Sequence, residues 1–181
     1  MPLKFYYYTF ILMVLMSCKR ESPEDARHQV ALSMRDQLKV YVDSAMGKDV
    51  DATEKIEAIR IWKDAQQIAE ATPGDTLSSS ILFRSGALLK AHNEVTKAIG
   101  TWGLVVAYYP ESRYAPEALF QQAFSFDNDL RDPQNAKRYY QKFLKMYPDH
   151  KLAGQVKMLA SIMDKSDEEL IKEFEKNNKS K

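Results

Sequence analysis

The chain has 181 residues, of which 45% are hydrophobic and 28% charged, enough for one domain with a core and a solvated surface. Its 26 Lys and Arg residues balance 25 Asp and Glu residues, and the net charge of +1 gives no electrostatic reason to expect nucleic acid as a partner. A single cysteine excludes a disulfide framework and a zinc site built from cysteines.

The first residues have the pattern of a secretory signal that ends in a lipid attachment site. The apolar run over 5–16 follows one cation and is shorter than the roughly 20 residues that a membrane-spanning helix needs. A small residue and Cys18 come next, an arrangement that resembles the lipobox of bacterial lipoproteins. This predicts a signal peptide over 1–17, a lipidated linker over 18–22 and membrane attachment through lipid alone. The alternative is an ordinary secretory signal with a chance cysteine.

Two helices are predicted before the middle of the chain. Ser22 is followed by a proline and two acids, which is a helix start, and the helix is predicted to run to about Met46. A capping-box pattern at Asp51 starts the second helix, whose apolar residues recur at helical spacing up to Thr72. We predict that 23–78 contains an N-terminal capping helix and a half repeat.

A repeat occupies the middle of the chain. Three apolar helical runs end in prolines at intervals of 37 and 38 residues (110 − 73 and 148 − 110). The aligned residues of the two copies are Gly86, Ala98, Trp102 and Pro110, then Ala123, Ala136, Tyr140 and Pro148. Small residues let the two helices of a pair cross closely, and the aromatic side chain fills the gap toward the next pair. In the last partial copy the position of the small residue falls on Ser161.

These copies resemble the tetratricopeptide repeat, through Leu-x-x-Ser-Gly-x-x-Leu in 82–89 and Leu-x-x-Gln-Ala-x-x-Phe in 119–126. The resemblance implies an all-α fold, an α-solenoid of antiparallel helix pairs behind the N-terminal signal peptide. Two repeats are expected over 79–150, then a half repeat and a capping helix with a frayed tail over 151–181.

Four residues depart from the family's pattern. Ser85 and Gln122 stand where the family prefers leucine, and Gly100 and Gly103 lie inside a predicted helix. Each glycine costs roughly 0.5–1 kcal/mol relative to alanine, so we expect that helix to be the softest of the array.

With the lipobox, the layout resembles the short tetratricopeptide-repeat lipoproteins of the Gram-negative envelope, and distantly the outer-membrane assembly lipoprotein BamD. The resemblance implies an outer-membrane location facing the periplasm, with the inner membrane and the cell surface as alternatives. Lys19 follows the cysteine in place of the acidic residue associated with inner-membrane retention, which favours the outer membrane.

Motifs for catalysis or metal binding are not found in the sequence. His28, His92 and His150 are far apart, and none has a second ligand four residues away. The G-x-S-x-G, Walker and H-E-x-x-H patterns do not occur. We therefore predict a protein that is not an enzyme and has no cofactor or metal.

In the family the first helix of each pair lines the concave face, where partners bind. The resemblance places these residues there: Phe83, Ala87, Lys90, Ala91, Phe120, Gln121, Phe124, Asp127, Asn128, Met158 and Ile162. Family members that grip a C-terminal carboxylate use Lys and Asn at several of these positions. The apolar residues here argue against such a clamp and predict binding of an amphipathic helix or an extended apolar peptide.

One alternative is that the chain's own N-terminal helix uses Val30, Leu38 and Tyr41 to cover the apolar ladder, which consists of Phe83, Phe120, Phe124 and Met158. The function hypothesis is a non-catalytic scaffold lipoprotein that binds another envelope protein or peptide in outer-membrane protein assembly or envelope maintenance. The alternatives are an accessory subunit of a cell-wall or polysaccharide-handling enzyme complex, and a catalytic site that no motif reveals.

Overall fold

The computed structural model describes residues 22–45, 52–163, 165 and 168–169. The helices are α1 (Pro23–Ala45), α2 (Ala52–Ala71), α3 (Thr76–Ala91), α4 (Val95–Tyr108), α5 (Tyr114–Asn128), α6 (Pro133–Met146) and α7 (Ala153–Ile162). No strand occurs in these described ranges, which confirms the all-α prediction for them. Cys18, the predicted signal peptide, the segment from Met46 to Asp51 and most of the predicted C-terminal capping helix lie outside the described residues.

Side chains cap several helix starts. At α1, Ser22 Oγ accepts the backbone N–H of Asp25 at 3.0 Å, and the Asp25 carboxylate accepts the N–H of Ser22 at 3.1 Å. Asp75 caps α3 by accepting the N–H of Ser78 at 2.8 Å, and Asp132 caps α6 in the same way. These bonds satisfy backbone donors that have no partner within the helix.

The helices pair in chain order. Short loops join α3 to α4 and α5 to α6, so each pair is antiparallel, and α4 packs on α5 as α6 packs on α7. The helices α2, α4 and α6 each end two residues before a proline, at Pro73, Pro110 and Pro148. The first helices α3 and α5 also contact each other, so their outward sides form one wall.

Helix α1 takes part in this stacking as a first helix. It packs on α2 and α3, while α2 packs on α4. The buried residues of α1 are spaced like those of α3: Leu38, Val42 and Ala45 beside Leu82, Gly86 and Leu89. The division of 23–78 into a capping helix and a half repeat stays a prediction, and this packing also fits a third, divergent helix pair.

The crossing of α3 and α4 depends on Gly86. The Trp102 indole is 1% exposed, and its Nε1 donates to the carbonyl of Phe83 at 3.0 Å. A Cβ at Gly86 would lie 2.3 Å from that Nε1, so only glycine leaves room for the ring. In the next pair Ala123 and Tyr140 take the same places, and both are fully buried.

The polar residues at the leucine positions are buried and bonded. Ser85 Oγ donates to the carbonyl of Ile81 at 2.8 Å, within its own helix. Gln122 Nε2 donates to the carbonyl of Ile99 on α4 at 2.8 Å. A Cβ at Gly103 would lie 3.1 Å from this nitrogen, so Gly103 makes space for the amide of the following pair. The glycine has a packing role that the sequence did not suggest.

The repeat register in α7 differs from the prediction by one residue. Val156 and Ala160 are buried, whereas Ser161 is exposed. Ala160 lies 37 residues after Ala123, as Ala123 lies 37 after Gly86. The extra residue in the α5–α6 turn shifts only α6, because Val156 lies eight positions after Pro148, whereas Leu119 lies nine positions after Pro110. The prediction that Ser161 is the small crossing residue is therefore wrong, and Ala160 takes that place.

The second tryptophan has a different environment from the first. Trp62 lies on α2 and is 42% exposed. A Cβ at Gly100 would lie 3.8 Å from the Trp62 Nε1, an ordinary contact distance, so the indole lies beside the α4 backbone. The two tryptophans thus differ strongly in their contact with solvent.

Candidate functional site

The candidate site is the outward wall of α3 and α5, and we call it the aromatic face, defined by Phe83, Tyr114, Phe120 and Phe124. All four rings are half-buried. Phe83, Tyr114 and Phe120 also pack against the core, which Phe124 does not. The sequence predicted three of these residues. It missed Tyr114, which lies at the first position of α5, before the motif residues of the repeat.

One aromatic pair joins α3 to α5. The rings of Phe83 and Tyr114 stack with their centroids 5.4 Å apart. The Tyr114 hydroxyl accepts hydrogen bonds from Ser80 Oγ at 3.1 Å and from Arg113 Nη2 at 2.6 Å. These two bonds hold the pKa of Tyr114 below its ordinary value. The ring is thus fixed in place by contacts on both helices.

A second aromatic pair lies further along α5. Phe120 and Phe124 stack at 5.8 Å, and Phe120 also lies 6.5 Å from the ring of Tyr140. Lys90 Nζ is 5.2 Å from the centroid of Phe124 and forms an ion pair with Asp129 at 2.6 Å. The pair therefore presents an apolar surface with one cation at its border.

The predicted polar residues have partners inside the chain. Lys90 is paired as described, and Asp127 accepts a hydrogen bond from the Tyr140 hydroxyl at 3.3 Å. Asn128 is exposed, and its Nδ2 donates to the carbonyl of Phe124 at 3.3 Å. Ala87 and Gln121 are half-buried. Lys90 and Asp127 thus each have a partner within the chain.

The structure does not bring Met158 and Ile162 into register with the aromatic face. They are 56% and 41% exposed on α7. Counting 37 residues from Phe120 and Phe124 leads to Lys157 and Ser161, because Val156 and Ala160 are the buried residues of this helix. The apolar ladder ends at α5, and the next first helix has a lysine and a serine in its place.

Helix α1 borders the aromatic face and does not lie across it. Arg84 of α3 forms an ion pair with Asp43 of α1, and α1 packs mainly on α2 and α3. Leu38 is buried in this contact and Tyr41 is half-buried, but Val30 is 49% exposed. Helix α1 therefore contacts the part of the ladder on α3, and its main contacts lie away from Phe120 and Phe124 on α5.

The described residues contain neither a membrane-spanning helix nor a cluster of metal ligands. No described helix has both the length and the apolar character that crossing a bilayer requires. Within the same residues, no group of three His, Cys, Asp or Glu side chains could hold a metal ion.

Comparison with known proteins gives one match. Residues 117–150 match the family described as tetratricopeptide repeat, and this segment contains most of α5 and all of α6. The chain therefore contains a tetratricopeptide repeat. Searches of curated proteins and of solved structures each found no match. The assignment of α3 and α4 to the same kind of pair rests on their packing and on the 37-residue register.

Proposed function

We propose that this chain is a non-catalytic scaffold that binds an apolar segment of another envelope protein on its aromatic face. The observation that carries the proposal is the pair of aromatic stacks on the wall of first helices, next to a segment that matches the tetratricopeptide repeat. Repeats of this family serve as scaffolds for protein–protein contact. Aromatic side chains in partly exposed clusters are also the residues that carry most binding energy at protein interfaces.

The location is part of the same proposal. Lipid on Cys18 holds the scaffold on the outer membrane, facing the periplasm. The support is the apolar run over 5–16 and the position of the single cysteine directly after it. Within this setting the scaffold takes part in outer-membrane protein assembly or in envelope maintenance.

Substitution of Phe124 tests the binding face with the least effect on folding, because Phe124 does not pack against the core. The lipidated chain is solubilised in detergent and the proteins that co-purify are quantified. Phe124→Ala lowers the recovery of a true partner about tenfold or more, the usual loss for an interface aromatic. The matched control is Val30→Ala, which removes an apolar side chain that is 49% exposed on α1. Unchanged recovery with Phe124→Ala contradicts the proposed face.

The anchor has its own test. Cys18→Ala removes the only thiol of the chain and should abolish labelling with a radioactive fatty acid, leaving uncleaved precursor. Fatty-acid label that persists in Cys18→Ala would show that the chain is not lipidated at this residue.

A further inference from the structure

Helix α6 differs from every other described helix in its charge. Between Pro133 and Met146 it contains Lys137, Arg138, Lys142 and Lys145 and no acidic residue. The chain as a whole has 26 basic and 25 acidic residues, so this excess is local. Elsewhere in the array several cations form ion pairs: Arg35 with Asp75, Lys39 and Arg84 with Asp43, Lys90 with Asp129, Lys97 with Glu94, and Lys151 with Glu117.

Three of these cations form one exposed line, which we call the basic stripe: Arg138, Lys142 and Lys145. They are four and three residues apart, the spacing that places side chains on one face of a helix. All three are exposed, and in the described part of the chain Lys142 and Lys145 form no ion pair. Like charges at this spacing destabilise a helix, so the stripe is an arrangement that an anionic partner would stabilise.

Aromatic and apolar groups accompany the basic stripe. The guanidinium Cζ of Arg138 lies 5.3 Å and Lys142 Nζ lies 5.9 Å from the ring centroid of Tyr139. That ring packs on Phe126 at 4.9 Å. Leu130 just before the helix and Met146 at its end are each 41% exposed. Cations, an amphipathic ring and exposed apolar side chains are the combination found where proteins meet the lipid headgroup region.

We infer that the basic stripe docks on an anionic phospholipid surface and sets the orientation of the anchored array. The inference rests on the proposed lipid anchor, since Pro23 lies only five positions after Cys18, a reach of roughly 18 Å at most. An acidic protein would need only the charge, whereas a bilayer also accommodates Leu130 and Met146. The basic stripe lies on α6, the second helix of its pair, whereas the aromatic face lies on the first helices α3 and α5. Docking of the stripe therefore leaves the aromatic face open to a protein partner.

Lysine labelling of the full lipidated chain tests the inference. The chain is reconstituted into vesicles of phosphatidylcholine alone, or of phosphatidylcholine with phosphatidylglycerol, and treated with a membrane-impermeant amine reagent. Mass spectrometry then gives the labelling rate of each lysine. Lys142 and Lys145 should label at least about fivefold more slowly on the anionic vesicles, because each cation near such a surface gains about that factor. At about 1 M salt, where the screening length is about 3 Å, the protection should disappear.

A charge-matched pair of variants separates docking from general attraction. Lys142→Gln with Lys145→Gln should shift the docked fraction about 25-fold toward the undocked state, read as labelling of Lys137. The control, Lys39→Gln with Lys63→Gln, removes the same charge from α1 and α2 and should leave that labelling unchanged. Equal effects of the two pairs would overturn the inference.

Two further results would also overturn it. Equal labelling of Lys142 on both kinds of vesicle, with the fatty acid on Cys18 confirmed by mass, removes the docking inference and leaves the anchor intact. Protection that appears in detergent on addition of an envelope protein extract, and not on anionic vesicles, assigns the stripe to an acidic protein. Failure of the anchor itself is recognised separately, as absence of the fatty acid.

Discussion

The helix pair α3–α4 and the helix pair α5–α6 have the same layout and different side chains at the crossing. In the first pair Trp102 lies against Gly86, and in the second Tyr140 lies opposite Ala123; all four are buried. A larger ring faces the smaller residue and a smaller ring faces the larger one. The summed side-chain volume at the crossing is therefore similar in the two helix pairs. A closely packed core tolerates substitutions best when that volume is conserved.

The two pairs differ also at the tyrosine before the closing proline. The hydroxyl of Tyr109 is hydrogen-bonded to Thr72 at 3.1 Å. The hydroxyl of Tyr147 is buried and has no hydrogen-bond partner among the described residues. In the second pair the residue that corresponds to Thr72, 37 positions on, is Tyr109. Tyr147 therefore lacks the threonine hydroxyl to which Tyr109 is bonded. Burial raises the pKa of both phenols, so both hydroxyls are uncharged at neutral pH.

The largest expected effect is at Gly86. Gly86→Ala should lower the free energy of unfolding by roughly 1–3 kcal/mol, because the new Cβ forces the indole away from the Phe83 carbonyl. Urea denaturation measures it. Adding Trp102→Tyr copies the second pair, and the double variant should be more stable than the sum of the two single losses predicts. Purely additive losses would mean that the ring and the glycine are not coupled.

A smaller difference is expected between the two polar residues at the leucine positions. Gln122→Ala should cost about 1–2 kcal/mol, since it removes a bond between helix pairs and leaves a cavity. Ser85→Ala should cost less than about 0.5 kcal/mol, because the serine bonds only to its own helix. Thermal melts of both variants decide the order, and a Ser85→Ala cost equal to that of Gln122→Ala would contradict it.

The tyrosine hydroxyls give the next comparison. Tyr109→Phe should destabilise the protein by about 1 kcal/mol, the usual net value of a hydrogen bond. Tyr147→Phe should be neutral or slightly stabilising, because a buried hydroxyl without a partner already carries a desolvation cost. The measurement is the denaturation midpoint of each variant. A loss with Tyr147→Phe as large as that with Tyr109→Phe would show that Tyr147 has a partner after all.

The smallest effect is expected at the helix caps and depends on pH. Desolvation, the largest single influence, raises the pKa of Asp75, but hydrogen bonds from Ser78 and from the Arg35 guanidinium bring it below its ordinary value. This carboxylate therefore stabilises the fold above about pH 4 and loses its contribution as the pH falls through the lowered pKa. The equivalent residue of the second pair, 37 positions on, is Ser112, whose hydroxyl does not titrate.

Replacing Asp75 with serine copies the second pair at this position. Asp75→Ser should cost a few tenths of a kcal/mol at neutral pH, because serine is also a good capping residue. The stability of the variant should depend less on pH than that of the parent between about pH 5 and 2. Denaturation curves across that range test it, and parallel curves for variant and parent would contradict a role of this carboxylate.

The helix pairs could be predicted because their signals are local and recur. A proline after each second helix and a small residue at each crossing are visible at a fixed interval without knowledge of any contact. Helix α1 itself was predicted, but its place as a first helix of the array was not, because Leu82 lies 44 positions after Leu38, whereas Leu119 lies 37 positions after Leu82. The register of α7 was not predicted, because the extra residue in the α5–α6 turn is offset between Pro148 and Val156. Only the packing of α7 reveals this.

The candidate site could be predicted in part. The rings of α3 and α5 follow from the register of the first helices, but Tyr114 precedes the motif and enters the face through its stack on Phe83. The basic stripe was hidden by the net charge of +1, which averages over the chain. The excess positive charge of α6 comes from its own four basic residues and its lack of acidic ones, which acidic residues in other helices balance in the total.

The unequal burial of Trp102 and Trp62, 1% and 42% exposed, gives the protein two fluorophores in different surroundings. Emission from Trp102 should be blue-shifted and resistant to acrylamide, whereas Trp62 should emit at longer wavelength and be quenched. Trp102 reports on the α3–α4 crossing, and Trp62 reports on the exposed side of α2. Since arrays of this kind can lose their pairs one after another, the spectrum of the unmodified chain can report which pair opens first.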